Sequence, residues 1–217
     1  MDMKEKKAIE IVQNKTLPAF YSRIFLVPKT NCSWRPVIDL SSLNRHIHCE
    51  TFKMETTKSV LNAILPNQFM SSIDLKDAYF QVPIHNQSRK LLRFVWKGEI
   101  YQFRSLCFGL NTAPLVFTQV MKPIMEHAHR RGIHVHMYLD DWLINEDSEE
   151  KYRDSTENLI QICQTLGIVI NHQKSELTPS QEITYLGVVI NTRLRKAFPS
   201  EKRLQKFFIL LDKFNQR

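Results

Sequence analysis

Tyr138-Leu139-Asp140-Asp141 lies between two largely apolar runs, Ile133 to Met137 before it and Trp142 to Ile144 after it. Unpaired anions are costly to bury, so a chain that carries adjacent carboxylates in this setting has to hold them at the tip of a hairpin, where a cation can reach them. Asp is also common in ordinary turns, and the pair by itself fits either use. A third acid tips the balance. Asp74 lies in a segment of the same character, Phe69 to Phe80, and two strands that each end in acid can bring Asp74, Asp140 and Asp141 together.

Hard oxygen donors without a nearby Cys or His favour Mg²⁺, which takes one or two carboxylates and fills its octahedron with water and substrate phosphate. Two such ions, roughly 3.5–4 Å apart, clamp the attacking and leaving oxygens of a phosphoryl transfer.

The chain has 217 residues, 43% of them hydrophobic, enough for one ordinary domain or two small ones with a packed core. No run approaches the ~18 apolar residues of a membrane span, and Met1 to Lys7 is charged with no apolar signal region after it, so a soluble intracellular protein with no membrane partner is expected. Cys32, Cys49, Cys107 and Cys163 are scattered without a C-x-x-C pair, which points to free thiols. The net charge of +8 is concentrated towards the end: Arg193 to Arg217 holds eight Lys/Arg against Glu201 and Asp212. Such a segment suits a phosphate backbone and suits a solvated helix face equally well.

Lys4 to Asn14 reads as a short helix with Ala8, Ile9 and Val12 on one side. Tyr21 to Val27 and Trp34 to Leu40 form a hairpin with a polar tip carrying Lys29, and Leu92 to Trp96 and Ile100 to Leu106 form a second one around Lys97-Gly98-Glu99. A helix follows from Pro114, capped by Asn111 or Thr112, with Pro123 expected to bend or break it. Ser148 caps another, with the stripe Tyr152, Thr156, Leu159, Ile160, Cys163 and Leu166, ended by Gly167. Ile183 to Ile190 reads as one strand, and Ser200 opens a last helix with Leu204, Phe207, Phe208, Leu211 and Phe214 on one side. Strands and helices intermixed in this way make an α+β arrangement.

Taken in order, these segments resemble the fingers and palm of a reverse transcriptase across roughly Tyr21 to Asn191. The match runs through Phe25 to Lys29, Trp34 to Leu40, Asp74-Leu75-Lys76-Asp77-Ala78-Tyr79-Phe80, Phe108-Gly109-Leu110-Asn111-Thr112-Ala113-Pro114, Tyr138-Leu139-Asp140-Asp141 and Tyr185-Leu186-Gly187. A bare Y-x-D-D carries little; the ordered set carries much. Ser22 to Lys29 and Tyr138 to Ile144 are most similar to DIRS-type retrotransposons, which encode a tyrosine recombinase elsewhere.

The resemblance implies a right-hand polymerase, with fingers and an antiparallel palm sheet backed by helices over 21–191, a lead-in over 1–20 and the basic start of a thumb over 192–217. It implies that Asp74, Asp140 and Asp141 are catalytic and hold two Mg²⁺ ions, for which Mn²⁺ can substitute. Lys29 and Arg35 match residues that hold the triphosphate, Asp77 and Ala78 match positions whose amides approach it, and Tyr79 matches the ring that excludes a 2′-hydroxyl. Phe108 and Gly109 match the segment beside the incoming nucleotide, and Leu186 and Gly187 match the hairpin that grips the primer. The implied partners are an RNA template, a DNA or RNA primer and deoxynucleoside triphosphates, with RNase H and recombinase domains on a longer or separate product.

Three other readings compete. The chain can be a truncated or co-opted nucleic-acid-binding domain that keeps the palm fold without catalysis. A metal nuclease can use the same acids, but leaves Arg35, Tyr79 and Phe108-Gly109 unexplained. His127, His129, His134 and His136, or His46, His48 and Cys49, invite a zinc site, but neither group has a complete ligand set at recognisable spacing.

Overall fold

A β-strand buries alternate side chains while a hairpin reverses it within two residues, and most of this chain is built from that unit. The computed structural model describes residues 2–13, 18–28 and 34–215. In chain order the elements are α1 (Asp2–Glu5), β1 (Ile9–Ile11), β2 (Arg23–Pro28), β3 (Trp34–Asp39), α2 (Ser41–Asn44), α3 (Thr57–Ala63), β4 (Phe69–Asp74), β5 (Arg93–Trp96), β6 (Glu99–Phe103) and α4 (Ala113–Arg130). They continue with β7 (Val135–Tyr138), β8 (Asp141–Glu146), α5 (Glu149–Thr165), β9 (Glu176–Ser180), β10 (Glu182–Tyr185), β11 (Val188–Asn191), β12 (Lys196–Pro199) and α6 (Glu201–Asn215). Short 3-10 turns cover Ala78–Gln81 and Asn86–Leu91.

The chain divides into two units, one of residues 1–52 and 77–120, the other of 53–76 and 121–217. In the first, β2 pairs with β3 and β1–β6–β5 form a sheet, all antiparallel. Its core gathers Ile9, Ile38, Leu40, Leu92, Phe94 and Phe103. The β5–β6 turn places Lys97 at φ 50° and Gly98 at φ 80°, the paired positive angles that match the twist of a tight hairpin. Among the described residues, the helix expected over Lys4–Asn14 is formed only at Lys4 and Glu5, the end of α1. Its apolar residues are used by β1, which lies against β6 with Ile9 opposite Phe103 and Ile11 opposite Tyr101; one turn of helix could not outweigh an open strand edge ready to pair.

The second unit holds the sheet β7–β8–β4–β9 and the meander β10–β11–β12. Met70 and Leu143 from the first sheet meet Ile183, Tyr185 and Ile190 from the second, with Val60 of α3, in one buried cluster. The expected strand over Ile183–Ile190 is broken into β10 and β11, because Leu186 (φ 49°) and Gly187 (φ 76°) reverse the chain. Strands β9 and β12 were not expected: Thr178-Pro179-Ser180 and Ala197-Phe198-Pro199 read as loops until an edge is present for them to join.

Helix α4 runs through Pro123 unbroken, with Phe117, Met121, Met125 and Ala128 buried along it. Burial of a face on both sides of the proline outweighs the missing backbone donor. Thr112 lies at its N-terminal boundary, where its carbonyl accepts the Val116 N–H at 3.0 Å. Helix α5 starts where expected, Ser148 Oγ accepting the Lys151 N–H at 3.2 Å. Its stripe buries Tyr152, Thr156, Leu159 and Cys163, whereas Leu166 at the end is 58% exposed.

Candidate active site

Asp74 ends β4 and pairs in register with Asp141, the first residue of β8, while Ile73 pairs with Trp142 and Ser72 with Leu143. The apolar side chains of these strands fix that register, since a slip by one residue would turn Ile73, Trp142 and Ile144, all fully buried, to the opposite face. Tyr138 pairs with Asp141 across β7–β8, leaving Leu139 and Asp140 as a two-residue turn. The three acids expected to act together therefore converge at one end of one sheet.

Leu139 carries φ 54°, a left-handed value that costs a non-glycine residue about 1–3 kcal/mol and persists only where neighbours impose it. They do so through the turn's carbonyls. Trp142 Nε1 donates to Leu139 O at 2.9 Å, Leu75 N donates to Asp140 O at 2.9 Å, and the Tyr185 hydroxyl donates to Asp141 O at 3.0 Å. Glu55 braces the strand just before the turn, accepting from Met137 N at 2.8 Å and lying 3.0 Å from His136 Nδ1.

Asp74 is held through its backbone: its N–H donates to Ser175 Oγ at 3.0 Å, and its carbonyl accepts from Asn171 N at 2.8 Å. The Lys174 ammonium lies 3.7 Å from Asp74 Oδ2. Burial, then the charge of Asp74, holds the Asp140 carboxyl above the usual range, against the opposing pull of its own amide and Lys174. Asp141 is pushed up to about 6, first by loss of water and then by Asp140 and Asp74, although its side chain keeps an exposed edge. Among the described residues, the exposed Lys174 ammonium is the cation set against these three acids. Among the described residues no three His, Cys, Asp or Glu side chains are drawn close enough to enclose a metal ion by themselves.

The expected nucleotide-contacting residues lie in the other unit. Asp77, at φ 52°, opens the 3-10 turn that carries Ala78 and Tyr79, and its carboxylate meets Lys6 Nζ at 3.0 Å. Tyr79 is buried, its ring 4.9 Å from that of Phe108 and 5.5 Å from that of Phe117. Phe108 itself is 59% exposed. Gly109 has φ +96°, and a Cβ there would stand 3.2 Å from the Ile38 carbonyl, so both the backbone angle and the close approach of β3 require glycine. Asn44 fixes this loop, donating to Gly109 O at 2.8 Å and accepting from Asn111 N at 3.0 Å. Lys29 lies outside the described residues, and of Arg35 only the backbone, paired with Val27 in β2–β3, is described.

Leu186 and Gly187 form the β10–β11 turn, and Gly187 O accepts from Ser200 N at 2.9 Å, which ties the turn to the start of α6. Three of the histidines considered for zinc have other partners: His129 Nε2 lies 2.8 Å from Val135 O, His134 contacts Glu146 and His136 contacts Glu55. Reading residues in sequence missed Trp142, Ser175, Lys174, Tyr185 and Glu55. Two of them had a local signal, an indole directly after Asp140-Asp141 and a phenol directly before Leu186-Gly187.

Residues 27–190 match the family described as Reverse transcriptase (RNA-dependent DNA polymerase), and the chain belongs to that family. It is 26% identical over 182 residues to the Pro-Pol polyprotein of Simian foamy virus type 1, covering 84% of this chain and 15% of that polyprotein. It is 25% identical over 170 residues to the Transposon Tf2-3 polyprotein of Schizosaccharomyces pombe, covering 78% of this chain and 12% of that one. The foamy viral protease-reverse transcriptase in complex with double-stranded DNA superimposes with a TM-score of 0.80 at 21% identity, over 93% of this chain and 34% of that one. The same kind of protein in complex with an RNA/DNA hybrid gives 0.77 at 21%, over 93% and 26%. The fold is the mixed α/β, antiparallel fold of reverse transcriptase fingers and palm, and the chain spans a small part of each of these relatives.

The strained electrostatics have a measurable sign. A carboxyl raised from about 3.8 to about 6 on folding favours the folded state while protonated, and that stability is lost as pH rises through this window. In metal-free buffer at pH 8, Asp141→Asn is expected to melt at a higher temperature than the wild type, with the gap closing as pH falls to about 4. Melting temperatures across a pH series check this; an Asn variant that melts lower at pH 8 contradicts it.

Proposed function

We propose that this chain is the fingers and palm of a retroelement RNA-directed DNA polymerase that extends a primer 3′-hydroxyl with deoxynucleoside triphosphates by a two-metal mechanism. The observation that carries the reading is the register of β4 on β8, which sets Asp74 against Asp141 with Asp140 at the adjoining tip. The donor set fits Mg²⁺, or Mn²⁺ in its place: all donors are hard oxygens, their mutual repulsion is relieved by divalent charge, and an ion that takes only one or two carboxylates and completes its shell with substrate oxygens needs no enclosed cage. When bound, two such ions would activate the primer hydroxyl and neutralise the charge that develops on the leaving pyrophosphate.

In this mechanism Asp74 and Asp140 hold the ions and Asp141 supports them. Arg35, with a planar fork suited to phosphate oxygens, and Lys29 take the triphosphate, and the amides of Asp77 and Ala78 approach it. Tyr79, braced by Phe108 and Phe117, presents a wall to the 2′ position of the sugar. Gly109 keeps the Phe108 loop close to β3, and the Leu186-Gly187 turn meets the primer. The partners are an RNA template, a DNA or RNA primer and deoxynucleotides in an intracellular setting, with RNase H and tyrosine recombinase functions on a longer or separate product of a DIRS-type element.

A competing reading, a nucleic-acid-binding domain without catalysis, draws on the basic segment from Arg193 onward. Incorporation of one labelled deoxynucleotide on a DNA-primed RNA template with Mg²⁺ separates the two. The wild type is expected to extend, and Asp140→Asn to lose roughly a thousandfold or more in rate while holding the duplex about as tightly, because an amide cannot take the metal charge. Duplex binding without extension by the folded wild type would favour the binding domain. In the same assay Tyr79→Ala is expected to raise ribonucleotide use relative to deoxynucleotide by about tenfold or more, the loss of a steric wall; unchanged sugar preference rejects the gate.

A further inference from the structure

The polymerase reading assigns the carboxylate turn to the metals and the Leu186-Gly187 turn to the primer, and leaves open how one senses the other. Resting on that reading, we propose that Tyr185 is a positioning residue that couples the primer-side hairpin to the catalytic acids through the hydrogen bond from its hydroxyl to Asp141 O at 3.0 Å.

The two sheets of the second unit meet across Met70, Leu143, Ile183, Tyr185 and Ile190. Apolar contact is non-directional and fixes the distance between sheets better than their sliding. Directional ties stand at both ends of this contact. At the end remote from the acids, Thr192 Oγ1 donates to Gln68 O at 2.8 Å. At the acidic end Tyr185 does the same for Asp141, one residue before the Leu186-Gly187 turn.

The tie acts on the peptide whose orientation matters. The Leu139 and Asp140 carbonyls accept from Trp142 and Leu75, and that of Asp141, whose strand is paired with β7 and β4, also accepts from a side chain of the other sheet. Leu139 holds a left-handed conformation that persists only where its surroundings impose it, and the carboxylate of Asp141 follows its own backbone. A shift of the primer-side turn reaches the Asp141 peptide directly through this bond. The phenol is 2% exposed, and a buried hydroxyl of this kind is expected to donate. Burial, with Glu55 and Asp141 nearby, raises its pKa further, so it remains a donor throughout the neutral range.

A buried tyrosine can also bond a carbonyl merely to satisfy its hydroxyl, and Tyr152, which donates to Leu177 O at 2.6 Å from α5, serves as that control. Tyr185→Phe and Tyr152→Phe each delete one buried hydroxyl and keep the ring. Two readouts apply to the whole chain: backbone amide exchange over 138–142 without metal, and Mn²⁺ affinity by water-proton relaxation in the presence of a DNA-primed RNA template. Tyr185→Phe is expected to speed exchange by about tenfold and to weaken Mn²⁺ by about three- to tenfold, with duplex affinity held, as loosening of a preorganised turn requires. Tyr152→Phe is expected to do neither.

Unchanged exchange in Tyr185→Phe, or an equal change in both variants, overturns the coupling whatever the metal does. Faster exchange in Tyr185→Phe alone, with no Mn²⁺ bound even by the wild type, supports the tie between hairpin and turn but overturns the polymerase reading on which its purpose rests.

Discussion

Everything proposed for this protein depends on one antiparallel pairing, β4 on β8. Their apolar side chains, among them Met70, Ile73, Trp142, Leu143 and Ile144, are fully buried on both faces, so a change of register would have to repack every one of them. That register carries Asp74 to the position opposite Asp141. The acids do not hold themselves there; like charges at close quarters repel, and the hydrophobic strands behind them supply the restraint.

Strand β8 carries an acid at each end, one buried and one exposed. At its far end Glu146 is fully buried yet accepts from Lys151 Nζ at 2.8 Å, Ser155 Oγ at 2.7 Å and His134 N at 3.1 Å. Burial alone would raise its pKa, but these donors together hold it below the usual carboxylate range. At its near end Asp141 has, among the described residues, Asp140, Asp74 and the Lys174 ammonium as its charged neighbours, and its pKa moves the other way. An acid furnished with donors belongs to the scaffold. An acid left short of them, beside two more, is a place where stability has been exchanged for the capacity to bind a cation.

Much of this was legible in the sequence, because the relevant signals are local. The apolar flanks place Asp74 at a strand end and Asp140-Asp141 at a hairpin tip, Ser148 marks the start of α5, and Lys97-Gly98 marks a hairpin. What escaped depends on partners distant in sequence. Ile9 to Ile11 joins a strand because β6, some 90 residues later, offers an edge. Tyr185 looks like a core residue until the fold sets its hydroxyl against Asp141, and Gly109 reveals its constraint only when β3 passes beneath it. Pro123 shows the converse: a strong local signal for a break is overridden by the burial of the helix on both sides. The family resemblance foresaw the turn at Leu186-Gly187 that the apolar pattern of Ile183 to Ile190 concealed.

The central claim is that the end of the β4–β8 pair is a divalent-cation site assembled with substrate. The most direct measurement is a crystal structure of the chain with a DNA-primed RNA template, an incoming deoxynucleotide and Mn²⁺, phased to locate manganese by its anomalous scattering. The account predicts manganese on the Asp74 and Asp140 carboxylates, with the triphosphate completing its oxygen shell. Nucleic acid and nucleotide in place with no manganese on those carboxylates would contradict it.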